Sequence, residues 1–153
     1  MASAGISLTA QSIPLSEIEV RLVRSPHGCA PGCLDYAITI MGNGLVTYNG
    51  RSPVEGTRTR TIPADDVVTL VNEMLRVHFF DAADRYAGVS FLVRNADGVE
   101  LQGSGGSGPR ADLTLRLGER RKTVRLERNY PVELERLATL IDTIGGSEAW
   151  SGK

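Results

Sequence analysis

From Glu17 to Arg24 the chain alternates strictly, with Ile18, Val20 and Leu22 on one side and Glu17, Glu19 and Arg21 on the other. Successive side chains of an extended strand point to opposite faces, so this period of two predicts a half-buried antiparallel strand. The same period returns at Tyr36, Ile38 and Ile40, and again at Val46 and Tyr48. Between these runs lies Gly42-Asn43-Gly44, which supplies the positive-φ residues that a tight hairpin requires. Asp35 to Tyr48 therefore predicts strand, turn, strand. Arg58 to Ile62 adds a further strand, and its alternating Arg and Thr suit a sheet edge.

At Pro63 the period changes to a helical one. Proline suits a helix start because its missing N–H has no partner there, and Asp65 and Asp66 sit where the helix dipole favours negative charge. Val67, Leu70, Val71, Met74 and Leu75 form one apolar stripe running into His78-Phe79-Phe80, and a turn through Asp81, Asp84 and Tyr86 closes the unit. A second unit repeats the plan. Leu113, Leu115 and Leu117 alternate, Gly118 to Lys122 turn, and Val124 and Leu126 return. Pro131 opens a helix with Leu134, Leu137, Ala138 and Ile141 on one face, and Gly145-Gly146 ends it.

These elements predict an α+β fold: an antiparallel sheet of several strands with two helices packed on one face. Asp35 to Pro63 with its helix echoes Asp112 to Pro131 with its helix, as two hairpin-plus-helix units. A diverged duplication and recurrent α+β grammar both produce that echo. Ile38, Ile40, Val46, Leu70, Met74, Leu115, Leu137 and Ile141 are the expected core. Between the units, Ser90 to Arg94 and Val99 to Leu101 predict an extra hairpin, and the Gly/Ser-rich tract 103–109 a flexible connector.

Length and charge narrow this further. The 153 residues fit a single α+β domain over 16–150, preceded by a flexible arm of small and polar residues over 1–15. A formal net charge of -1 gives no global field toward nucleic acid or anionic membrane. No apolar run approaches the roughly 20 residues that span a bilayer, so no transmembrane segment is expected. The first ten residues lack the basic and apolar regions of a secretory signal, which implies a cytoplasmic protein, or a periplasmic or extracellular one whose signal has been trimmed.

Candidate chemistry is sparse. Cys29 and Cys33 stand in one short turn, just ahead of the Asp35–Tyr48 hairpin, with His27 and Asp35 beside them. Three readings of the cysteines stay open: a local disulfide, a pair of reduced structural thiols, and a metal site with His27. A structural zinc takes four ligands, and His27 with the two thiolates supplies at most three. A redox pair would want Cys-x-x-Cys at a helix start, whereas here three residues intervene and a strand follows. The glycine tract lacks the Lys-Ser/Thr and helix of a phosphate loop. Arg116, Arg120, Arg121, Lys122, Arg125 and Arg128 make the second hairpin basic, but Glu119 and Glu127 interrupt the run and no aromatics alternate with it as stacking platforms. It reads as a solvated face, and no nucleic acid is expected. His78 reads as lying against the core at a helix end, and Tyr36, Tyr48, Tyr86 and Trp150 read as core anchors with polar tips.

The order of these residues resembles a bacterial domain-of-unknown-function family, number 6438. The resemblance rests on Cys29-Ala-Pro-Gly-Cys33-Leu-Asp-Tyr36 and on Ile40-Met-Gly-Asn-Gly44-Leu-Val46-Thr-Tyr48-Asn-Gly50. Phe79-Phe80-Asp81-Ala-Ala-Asp84-Arg-Tyr86, Asp112, Arg121-Lys122-Thr-Val124, Pro131 and Trp150 extend it. It departs at Ala30-Pro31-Gly32, where the family has Phe-Gly-x, at Leu34, where it has Pro, and at an insertion around residues 88–109. The resemblance implies the fold and a pairing of Cys29 with Cys33, and it implies no activity. The chain therefore reads as a non-catalytic protein-binding or structural module with no cofactor, metal or catalytic residue, and with His27, Asp35 and Tyr36 as a functional surface. The alternative is a small metal- or thiol-dependent enzyme using Cys29, Cys33 and His27.

Overall fold

The computed structural model describes residues 12–25, 34–52, 54–86, 90–103, 110–128 and 130–147. Strands β1 (Ile18–Ser25), β2 (Asp35–Met41), β3 (Leu45–Ser52) and β4 (Gly56–Thr61) are followed by helix α1 (Ala64–Arg76) and the short strand β5 (Arg85–Tyr86). β6 (Ser90–Asn95) and β7 (Gly98–Gly103) come next, then β8 (Arg110–Leu117), β9 (Arg120–Leu126) and helix α2 (Val132–Gly145). The main sheet has seven strands in the order β4-β3-β2-β1-β8-β9-β5, while β6 and β7 form a separate ribbon. All neighbours are antiparallel except β5, which pairs in parallel with β9. This is the α+β architecture with two helices that the periodicity predicts.

β1 is the hinge of the design. It pairs with β2 on one side and with β8 on the other, so the two hairpins meet across it. The register sets Leu22 between Ile38 and Leu113, and Val20 between Ile40 and Leu115. These residues share the helix-covered face because residues opposite one another across a ladder point the same way. Every expected core residue, from Ile38 to Ile141, is buried, together with Tyr48, Phe79 and Leu113.

The first hairpin turns at Gly42-Asn43-Gly44, where the Asn43 side-chain oxygen accepts the Leu45 N–H at 3.0 Å. Gly44 adopts φ +93, and a Cβ there would stand 2.1 Å from the Ile62 carbonyl oxygen. Both facts require glycine at this position.

Four expectations need correction. Leu75, placed on the buried stripe of α1, is 41% exposed, so the stripe is narrower than the spacing suggests. His78 is exposed, because α1 ends at Arg76 and His78 takes a left-handed conformation that turns its side chain away from the core. The second hairpin turns at Gly118-Glu119 alone, with β9 already extended from Arg120. Arg85-Tyr86, expected as part of a turn, is a short strand at the sheet's edge, parallel to the end of β9. His27, Cys29, Cys33, Trp150 and the connector from Ser104 to Pro109 lie outside the described residues.

Candidate functional site

The alternation that buries Val20 and Leu22 carries on to Arg24, and the one that buries Ile38 and Ile40 begins at Tyr36. An arginine and a tyrosine thus enter the helix-covered face as the last register pair of β1 and β2. Segment 26–33, which carries His27 and both cysteines, joins the two strands just beyond this pair.

The helix above supplies the partner. Asp142, in the last turn of α2, accepts from Arg24 on one carboxylate oxygen: Nε at 2.9 Å and Nη2 at 2.6 Å. Its other oxygen accepts from the Tyr36 hydroxyl at 2.7 Å and the Ser147 hydroxyl at 2.5 Å. Arg24 Nε also donates to the Tyr36 oxygen at 3.2 Å. Asp142, Ser147 and Tyr36 are all buried, and Arg24 keeps partial contact with water. A buried carboxylate is tolerated only when paired and hydrogen-bonded, and here every oxygen is engaged.

The electrostatics follow from this packing. Burial pushes the Tyr36 hydroxyl up to about 12, because a phenolate would lose its water, and the adjoining Asp142 carboxylate opposes a second negative charge. Burial works to lower the Arg24 guanidinium, but the charge and hydrogen bonds of Asp142 and Tyr36 outweigh it and hold the group above its ordinary value. A raised folded-state value for Tyr36 gives a stability contribution that is complete below pH 10 and is lost as pH rises toward about 12. Urea unfolding followed across that range should show stability falling with pH, with a shallower fall in Tyr36→Phe. Identical slopes would mean that the hydroxyl titrates as if exposed.

A second tyrosine braces the first. The rings of Tyr36 and Tyr48 lie 5.3 Å apart, tilted by 32°, and the Tyr48 hydroxyl donates to the Val54 carbonyl at 3.0 Å. The Tyr48 ring occupies the space beside Gly50, where a Cβ would come within 2.3 Å of the Tyr48 oxygen. Asp35, half-buried at the start of β2, sits at a register shift opposite Ser52. It takes no part in the Asp142 network.

Beside Arg24 opens a shallow cleft of about 370 Å³, lined by Ala111, Leu126, Tyr130, Glu135 and Arg136 among others. Among the described residues no group of three or more His, Cys, Asp or Glu could hold a metal ion, and no helix is long and apolar enough to cross a membrane. The basic ribbon is largely engaged within the molecule. Arg125 pairs with Asp112, Lys122 with Asp84, Arg116 donates to the Gly118 carbonyl, and Arg120 lies 4.0 Å over the Phe80 ring.

Of the residues singled out in the sequence, Tyr36 belongs to the polar centre, Asp35 adjoins it, and His27, Cys29 and Cys33 lie outside the described residues. Arg24, Asp142 and Ser147 were not singled out. Their signal was present: Arg24 falls on the inward phase of β1, and Asp142 follows Ala138 by one helical turn on the buried stripe of α2.

Residues 20–145 match a protein family described as a domain of unknown function, DUF6438. No curated protein matches the chain.

Proposed function

The chain belongs to the DUF6438 family, and from that premise we propose that it is a non-catalytic protein-binding or structural module that presents segment 26–35 from a rigid rim. The observation that carries this reading is the Asp142 centre. It ties the end of β1, the start of β2 and the end of α2 together on either side of that segment. Both oxygens of its carboxylate are spent within the centre, which suits a clamp. A general base needs a free lone pair within reach of a substrate proton, and this carboxylate already accepts from Arg24, Tyr36 and Ser147.

In this reading Cys29 and Cys33 act structurally, as a disulfide in an oxidising compartment and as inert thiols in a reducing one. Metal analysis and thiol titration of the purified protein test it. The expected result is metal well below one equivalent, and a Cys29→Ser/Cys33→Ser variant that keeps its circular dichroism spectrum with modestly lower stability. One equivalent of zinc, lost in that variant without unfolding, would establish the metal-dependent alternative instead.

A further inference from the structure

The two edges of the main sheet are unlike. One edge is the two-residue β5, which lies along only the end of β9, where Arg125 and Glu127 donate their N–H groups to the carbonyls of Asp84 and Tyr86 at 2.9 and 2.8 Å. The other edge is the six-residue β4, in which Thr57, Arg58, Thr59, Arg60 and Thr61 are all exposed and which, among the described residues, pairs only with β3.

The direction of the free backbone groups follows from the register. Ile62 donates its N–H to the Gly44 carbonyl at 2.8 Å, and Arg58 and Arg60 stand opposite Tyr48 and Val46. Backbone groups alternate along a strand, so the even positions face β3 and the N–H and C=O of Thr57, Thr59 and Thr61 point outward. They form a ladder with a repeat of about 6.8 Å, which no strand completes among the described residues.

The side chains specify what would complete it. Arg58 and Arg60 project on one side of this edge and the three threonines on the other. Arg58 Nη1 lies 3.5 Å from the outward carbonyl of Thr57, which puts its guanidinium at the open edge. Arg60 lies against Gly146 at the end of α2, so Arg58 is the cation nearest an incoming chain. A second copy of β4 is a poor partner. Any antiparallel register that uses most of the strand and keeps its faces matched sets arginine opposite arginine, and like charges directly opposed are destabilising.

We propose that the β4 edge binds an extended acidic segment of a partner protein by strand addition, with a carboxylate opposite Arg58. Main-chain hydrogen bonds to Thr57, Thr59 and Thr61 give the affinity, and the charge of Arg58 gives the selectivity. The inference goes beyond the reading of segment 26–35, since a catalytic or a non-catalytic chain could carry such an edge.

The test uses the full chain and a capped peptide of alternating threonine and glutamate, with an alternating threonine–lysine peptide as control. Nuclear magnetic resonance titration should shift the amides of Thr57, Thr59 and Thr61, weaken with added salt, and show nothing with the lysine peptide. Thr59→Pro removes one outward N–H at a position where an edge strand tolerates proline, and should abolish the shifts. Arg58→Glu leaves the backbone ladder intact and should weaken the glutamate peptide about tenfold or more, as expected for the loss of roughly 1.4 kcal/mol. Failure to bind at millimolar peptide would overturn the proposal. So would equal binding by both peptides, unchanged binding by Arg58→Glu, or concentration-dependent shifts of the same amides without peptide, which would mark self-pairing.

Discussion

Asp142→Ala should destabilise the protein by about 3 kcal/mol, the low end of the range for breaking a buried ion pair. The cost comes from what is left behind. Arg24 would keep its charge with no carboxylate, and the Tyr36 and Ser147 hydroxyls would lose their acceptor in a buried setting. The partial exposure of Arg24 places the value at the low end, because water reaches part of its guanidinium. Tyr36→Phe removes the hydrogen bond donated to Asp142 and the longer one accepted from Arg24 but keeps the ring against Tyr48, so it should cost about 1–2 kcal/mol. The double variant Arg24→Met/Asp142→Ala should recover much of the single-variant loss, since it removes the stranded charge as well as its partner. Urea unfolding of the four proteins would measure this. Losses below 1 kcal/mol that simply add would show that the centre is not maintained in solution.

Phe79→Ala should cost about 3–5 kcal/mol, the usual range for emptying a buried aromatic site. Phe79 is fully buried, yet one helical turn earlier Leu75 is 41% exposed. Had α1 continued, Phe79 would have followed Leu75 toward water. The left-handed His78, at φ 59 and ψ 46, redirects the chain and drops Phe79 into the core. A non-glycine residue in that conformation carries a strain of roughly 1–2 kcal/mol. His78→Gly should therefore be neutral or gain up to about 1 kcal/mol, the relief being offset by the greater freedom of glycine in the unfolded chain. Thermal unfolding of both variants tests the pair. A His78→Gly protein as damaged as Phe79→Ala would mean that the imidazole itself holds the turn.

The same two places show where the sequence stopped being readable. Strands β1, β2, β3 and β8 were legible because one face of each is buried and apolar and the other is mostly polar, which writes a period of two into the residues. α2 was legible because Pro131 and Gly146 mark its ends, the latter in a left-handed cap. The end of α1 was not. Val77, His78 and Phe79 contain neither glycine nor proline, so the apolar spacing runs through the boundary without a local stop. The stop is imposed by Phe79 finding a buried position that a straight helix would miss. β5 was illegible for a related reason: two residues carry no period, and they are extended only because β9 offers them a ladder.

The polar centre was half legible. Alternation alone places Arg24 and Tyr36 on the inner face, and helical spacing places Asp142 on the buried stripe, since those are properties of one strand or one helix at a time. That these residues meet required the order β2-β1 under the end of α2, a pairing of positions 118 residues apart. Local pattern fixes which way a side chain points; only packing decides what it points at. The sequence by itself thus determined the long strands, the two helices, most of their buried faces and the family. Tertiary structure decided that an arginine, a tyrosine, a serine and an aspartate share one site, and that β4 and the two-residue β5 form the two edges of the sheet. Such relations arise from contacts between distant segments, whose energies leave no periodic trace in the chain.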